Sequence, residues 1–98
     1  LASSTTLLNL ETLSIENENW IHAAGAKAIS ESENLASLKR LVLALNVIGD
    51  EGAVSLANSK TLSGLQFLNV AGNKISPRGE DALQKSTALT GMKTLEIV

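Results

Sequence analysis

The chain has 98 residues, eight basic and ten acidic side chains, a net charge of −2 and no cysteine. Such a length allows at most one domain, and the lack of any block of like charge argues against nucleic acid as a partner. Disulfides, thiolate metal sites and cysteine nucleophiles are excluded, and the apolar runs are far too short for a membrane span.

The first predicted element is a short strand, Leu10-x-x-Leu13-x-Ile15, whose last residues alternate with a period of two. An asparagine, Asn19, follows where the polypeptide would leave the strand and turn. Gly25 then precedes Ile29 by four positions, a spacing typical of one helix face. The order predicted is therefore strand, asparagine turn, short helix and return loop.

The same order returns twice more, and a fourth strand begins near the end of the sequence. The strands are Leu38-x-x-Leu41-x-Leu43, Leu65-x-x-Leu68-x-Val70 and Met92-x-x-Leu95-x-Ile97. Leu41, Leu68 and Leu95 are 27 residues apart, whereas Leu13 precedes Leu41 by 28. The first copy thus has one extra residue, placed between Ile15 and Asn19. Such self-similarity indicates a solenoid of stacked units.

The turns and helix starts also repeat. Side chains of the turn asparagines can bond backbone groups that the turn leaves unpaired, which predicts an asparagine ladder of Asn19, Asn46 and Asn73. Ser76 and Pro77 predict an N-cap followed by proline at the first helical position. Asp50 and Glu51 place acidic charge at the equivalent start, which suits the helix dipole. Glycines on the buried helix face (Gly52 in the second copy) are expected to let the helix approach the strand layer.

The full pattern, Leu-x-x-Leu-x-Leu-x-x-Asn-x-Ile-x-x-x-Gly-x-x-x-Leu, resembles the leucine-rich repeat family in its ribonuclease-inhibitor-like subtype, most closely over Leu45–Ala53. The sequence lacks the cysteines of the ribonuclease inhibitors themselves. The resemblance implies an α/β solenoid, or horseshoe, with parallel strands on the concave face and helices on the convex face. Strands are about 4.8 Å apart and helices roughly 10 Å across, so stacking one of each bends the array.

The predicted organisation is a single leucine-rich-repeat domain over 1–98, a fragment of a longer array. Residues 1–9 are interpreted as the tail of a preceding repeat, because Leu1–Leu7 aligns with Leu56–Leu62. Repeats follow at 10–37, 38–64 and 65–91, and 92–98 is the first strand of a further repeat. Truncation is favoured, and end-to-end self-association through uncapped repeats is the alternative.

The resemblance implies that a partner protein binds the outward side chains of the concave strands. The candidate partner-binding residues are Thr12, Ser14, Arg40, Val42, Phe67, Asn69, Thr94 and Glu96. Arginine and aromatic side chains are the usual interface anchors, which singles out Arg40 and Phe67. An alternative is that Phe67 merely shields its neighbours.

Trp20 and His22 have ordinary structural interpretations. Trp20 follows the extra residue, so it is expected to cover an irregular turn or pack on the adjacent repeat, with a rim anchor as the alternative. His22 aligns with Gly49 and Ser76 at a helix start. Because no ligand-spaced partner accompanies it, His22 is expected at the surface rather than in a metal or catalytic site.

The function predicted is a protein–protein interaction module; the alternative is a structural or autoinhibitory spacer within a larger multidomain protein. Bacterial effectors, immune-receptor-like proteins and ubiquitin-ligase adaptors are hosts implied by analogy of fold. No catalytic motif is present, so neither enzymatic activity nor a cofactor is expected. The cysteine-free composition and the start Leu1-Ala2-Ser3-Ser4, unlike a signal peptide, favour the cytoplasm, with a secreted bacterial effector acting in a host cell as the alternative.

Overall fold

The computed structural model of the protein describes residues 10–16 and 21–97, where three strand–helix units follow one another and a further strand succeeds them. The strands are β1 Thr12–Ser14, β2 Arg40–Val42, β3 Phe67–Asn69 and β4 Thr94–Glu96. The helices are α1 His22–Glu31, α2 Gly49–Ala57 and α3 Pro77–Gln84, with a 3₁₀ turn at Glu33–Leu35 between α1 and β2. The predicted order of strand, turn, helix and return loop is confirmed.

The four strands form one parallel sheet in sequence order, β1-β2-β3-β4. Their register aligns Leu13 with Leu41, Leu41 with Leu68, and Leu68 with Leu95. Each strand has only three residues, so a single leucine per strand points into the interior while its two neighbours point outward. The predicted α/β fold with parallel strands in register is confirmed.

One apolar core runs through all the units between the sheet and the helices. It joins strand leucines such as Leu41 and Leu68 to helix residues such as Ala26 and Leu56, all of them without exposed surface. No unit could bury its leucines alone, because each supplies only one short strand and one short helix. Stacking therefore provides the interior that a single repeat lacks.

Gly52 shows that the expected glycine contact was wrong in one respect. A Cβ on Gly52 would lie 2.8 Å from Cβ of Ile48 and 3.2 Å from Cβ of Ala26 in the preceding helix. The close approach is therefore between α2 and α1, together with the isoleucine of the preceding turn, rather than between helix and strand layer. A methyl group at this position would push neighbouring helices apart.

Asp50 in the first turn of α2 bonds the start of α3. Its Oδ1 accepts a hydrogen bond from the backbone N–H of Ser76 at 2.7 Å, and its Oδ2 accepts one from Ser76 Oγ. These two bonds hold the pKa of Asp50 below its ordinary value, against an opposing effect of burial, and a bond from the Gly79 backbone and the charge of Arg78 lower it further. Ser76 is the N-cap residue as predicted, but its side chain makes no capping bond within its own helix. Asp50 instead serves that helix end from the neighbouring unit.

A contact that does repeat lies at the other end of the helices and was missed in the sequence. Ser59 Oγ donates to the carbonyl of Ser30, and Ser86 Oγ donates to the carbonyl of Ala57. Each hydroxyl also accepts a backbone N–H from its own return loop; Leu62 N bonds Ser59 Oγ at 3.2 Å. The serines are 27 positions apart, so the repeat spacing alone could have identified them.

Several sequence predictions fall on residues outside the described part of the protein. They are the tail of a preceding repeat at 1–9, the extra residue before Asn19, the asparagine at 19 itself, Trp20 and Val98.

Candidate functional site

The outward side chains of the four strands form two rows across the sheet, here called the strand face. The register places them opposite one another, in the order Thr12, Arg40, Phe67, Thr94 in one row and Ser14, Val42, Asn69, Glu96 in the next. All eight candidate partner-binding residues therefore lie on one surface. Strands as short as these present few side chains each, so this surface is built from every repeat at once.

Arg40 and Phe67 form the most distinctive contact on the strand face. They are paired across β2 and β3, and the Arg40 guanidinium carbon lies 3.9 Å from the centroid of the Phe67 ring. This is well within the range of a cation–π interaction. Arg40 is exposed and Phe67 is half-buried, so the arginine covers one side of the ring while remaining open to solvent.

Val42 and Asn69 form the middle of the second row and are less accessible than expected. Val42 is only 7% exposed although it points outward. Asn69 is half-buried, and its Oδ1 accepts a hydrogen bond from the backbone N–H of Ala71 at 2.9 Å. These two residues therefore form the floor of the strand face, whereas Arg40 projects from it.

The outer strands contribute polar, exposed side chains to the same surface. Thr12, Ser14, Thr94 and Glu96 are all exposed. Ser14 Oγ makes a long contact of 3.4 Å with a carboxylate oxygen of Glu16. The strand face thus has an arginine–aromatic pair at its centre and neutral or acidic groups at its sides.

Two asparagines fix the edge of the sheet where the strands end. Asn73 Oδ1 accepts the backbone N–H of Asn46 at 2.8 Å and that of Ile48 at 3.2 Å, across to the neighbouring unit. Both asparagines are buried, and the two N–H groups of each Nδ2 are shared among three backbone carbonyls. These are the carbonyls of Ile15, Leu43 and Ala44 for Asn46 and of Leu43, Val70 and Ala71 for Asn73. Within the described residues, Asn46 Oδ1 has no hydrogen-bond partner. These bonds hold the strand ends in a fixed register.

The turn beside this edge has an exposed apolar residue that sequence reasoning missed. Leu45 is 45% exposed and has a φ of 62°. Its side chain lies over Gly72, the equivalent residue of the next unit, where a Cβ would be only 2.5 Å from Leu45 Cδ2. The glycine at 72, which also has a positive φ, is the sequence signal that this position is left-handed.

The helical side carries an open groove of about 480 Å³ between α1 and α2. It is lined by Lys27, Ser30, Glu31, Val54, Ser55, Asn58, Ser59, Lys60 and Thr61.

Over residues 10–16 and 21–97 no group of three or more histidine or acidic side chains could hold a metal ion. His22 is exposed at the first position of α1. Within the same ranges no helix is long and apolar enough to cross a membrane.

Comparison with protein families identifies part of the sequence. A family model described as Leucine Rich repeat matches residues 34–57. The matched stretch includes the return loop before β2, the turn at Asn46 and all of α2, and it supports a leucine-rich repeat there. No curated protein matches this sequence. The α/β fold described above is that of a leucine-rich-repeat solenoid, and such repeats generally mediate protein–protein interaction and are typically non-enzymatic.

Proposed function

We propose that the protein is a binding module that presents its strand face to a partner protein. The observation that carries this proposal is the pair of exposed Arg40 and half-buried Phe67 at the centre of an open sheet surface. Arginine and aromatic residues contribute most of the binding free energy in many interfaces and cluster near their centres. The surrounding polar side chains match the rim that usually encloses such a centre.

All eight residues of the strand face are proposed as contacts, with different contributions. Arg40 and Phe67 are proposed as the anchors, and the buried Val42 as the floor that supports them. The exposed residues of β1 and β4 are proposed as the rim. A catalytic role is not proposed, because the groove between α1 and α2 is open and the hydroxyls of Ser30 and Ser59 in its lining donate to backbone carbonyls.

We further propose that the repeats are of the ribonuclease-inhibitor-like subtype, divided at 10–37, 38–64 and 65–91. Support comes from the second half of each unit, which is an α-helix of eight to ten residues. Leucine-rich repeats vary at this point, and other repeats have only a 3₁₀ segment.

The function is tested by affinity capture with the wild type and with an Arg40→Ala/Phe67→Ala double variant, followed by quantitative mass spectrometry. A Lys60→Ala/Thr61→Ala variant on the helical side is the matched control. Proteins that bind the strand face are expected with the wild type and the control but not with the Arg40/Phe67 variant. Circular dichroism must show that all three proteins are equally folded. Equal capture by all three would refute binding at this face.

A further inference from the structure

Arg40 is a cation that contacts an aromatic ring and has no anionic partner among the described residues. Its guanidinium lies 3.9 Å from the Phe67 centroid and its side chain is exposed. Among the described residues the ion pair is that of Lys85 with Asp81 on α3, and Arg40 takes part in no ion pair. The charge on the strand face is therefore available to another molecule.

Stacking determines which part of the guanidinium remains free. Arg40 Cζ lies over the Phe67 ring, 3.9 Å from its centroid, and the N–H donors of a guanidinium lie in its own plane. A planar fork of N–H donors matches the two oxygens of a carboxylate and binds them with two parallel hydrogen bonds. Because the ring already restricts the arginine, less conformational entropy is lost when such a ligand binds.

The charges around Arg40 favour a singly charged anion. In the two rows of the strand face Arg40 is the sole cation, and Glu96 is an anion in the neighbouring row. Glu16 adds another exposed carboxylate beside Ser14. Exposed Lys39 and Lys93, which precede β2 and β4, are offset by these carboxylates and by exposed Glu11 before β1, so the surface has no excess of positive charge that would favour a doubly charged phosphate. A carboxylate, with its single negative charge, is neutralised by one guanidinium.

We infer that the partner protein presents a carboxylate, from an aspartate, a glutamate or a free C-terminus, to the guanidinium of Arg40. An apolar group of the partner packs beside it on the exposed part of the Phe67 ring. This inference rests on the proposed function, since it names the partner chemistry of the same surface. It assigns Arg40 as the residue that determines specificity and Phe67 as the residue that positions it.

The test uses a random linear peptide library displayed on phage and selected on the immobilised protein. Enriched peptides are synthesised in three forms: the original, a form with the acidic residue changed to its amide, and a form with phosphoserine there. Their Kd values are measured for the wild type, Arg40→Gln, Arg40→Lys, Phe67→Leu and the control Lys39→Gln. Lys39 is an exposed cation next to Arg40 in the sequence and has no ring contact.

The carboxylate form is expected to bind the wild type about ten- to a hundredfold more tightly than the amide form, as for a charge-assisted bond. Arg40→Gln removes this difference, and Arg40→Lys retains only part of it because lysine lacks the planar fork. Phe67→Leu weakens binding of the carboxylate form, whereas Lys39→Gln leaves it within about twofold of the wild type. The Arg40 Nε–Hε resonance should shift on titration with the carboxylate form only.

The possible contrary results separate the two proposals. Enriched peptides without acidic residues, or equal binding of carboxylate and amide forms, would overturn the carboxylate inference and leave a binding strand face intact. Tighter Arg40-dependent binding of the phosphoserine form would also overturn it, in favour of a phosphorylated partner. Peptides that bind the wild type and the Arg40→Ala/Phe67→Ala variant equally would count against the proposed function itself.

Discussion

Asn73 shows how one residue connects two repeats. Its Oδ1 accepts two backbone N–H groups of the preceding unit, and the two N–H groups of its Nδ2 are shared among three carbonyls, while the residue is 1% exposed. We predict that Asn73→Ala lowers the free energy of unfolding by roughly 3 kcal/mol or more, because each buried polar group left unpaired costs about 1–3 kcal/mol. Urea denaturation measures the loss. Asn58→Ala, on an exposed asparagine at the end of α2, is the control and should change stability by less than about 0.5 kcal/mol. Similar values for the two variants would contradict the assigned role.

Glycine substitutions separate backbone strain from steric contact. Gly64 has an ordinary φ and open space, Gly49 has a φ of 66° and open space, and Gly72 has a φ of 68° with Leu45 Cδ2 in the way. We predict that alanine at 64 leaves the free energy of unfolding almost unchanged. Alanine at 49 should lower it by about 1 kcal/mol, and alanine at 72 should lower it by more. Thermal unfolding ranks the three variants. The extra loss of stability at 72, compared with that at 49, should disappear when Leu45 is also changed to alanine. If the extra loss persists, contact with the Leu45 side chain is not its cause.

At the scale of elements, Asp50 makes the N-terminal start of α3 sensitive to acid. Its folded-state pKa is lowered, mainly by the Ser76 hydroxyl and backbone N–H, so the carboxylate stabilises the folded state. The contribution of Asp50 to the free energy of unfolding is therefore fully present above the ordinary aspartate pKa of about 3.9. It is lost as pH falls through the lower folded-state pKa. We predict that Asp50→Asn destabilises the protein at neutral pH and weakens the fall of stability in acid. Urea titrations from neutral to acidic pH measure both effects.

Ser76→Ala distinguishes this contact from general surface charge. Removing the hydroxyl should weaken the acid dependence that Asp50 causes, and it should add little once Asp50 is asparagine, because the two changes remove the same bond. Glu51→Gln is a matched control, since Glu51 is exposed in the same helical turn. If Glu51→Gln altered the acid dependence as much as Asp50→Asn, the helix dipole rather than the bond to Ser76 would explain it.

The elements were predictable from sequence because they repeat, whereas contacts between unlike residues were not. Leucines at a spacing of 27 specify the parallel register, since any shift would expose them. The bond from Asp50 to Ser76 joins positions that do not correspond between repeats, so the repeat pattern contains no sign of it. On the strand face, alternation predicted that Arg40 and Phe67 point outward, but the stacking of one on the other depends on side-chain torsions that the pattern leaves open.

At the scale of the whole molecule, the repeats are expected to unfold as one cooperative unit. The helices pack in sequence, α1 on α2 and α2 on α3, and one apolar cluster includes residues of every unit. A solenoid with strong contacts between neighbours behaves cooperatively, whereas weak contacts let each repeat unfold separately. Because the first unit contains Trp20, the single tryptophan, its fluorescence can be compared with a change made two repeats away.

Leu68→Ala provides that change. Leu68 has no exposed surface and lies between the leucines of β2 and β4, so truncation should cost about 3 kcal/mol. With a shared core, the urea midpoints from Trp20 fluorescence and from far-ultraviolet circular dichroism should fall together and by the same amount. Lys85→Ala, which removes only an exposed ion pair on α3, should leave both midpoints almost unchanged. A fluorescence midpoint that stays in place while the dichroism midpoint falls would mean that the first and third units unfold independently, and the continuous interior would then not be what stabilises the protein.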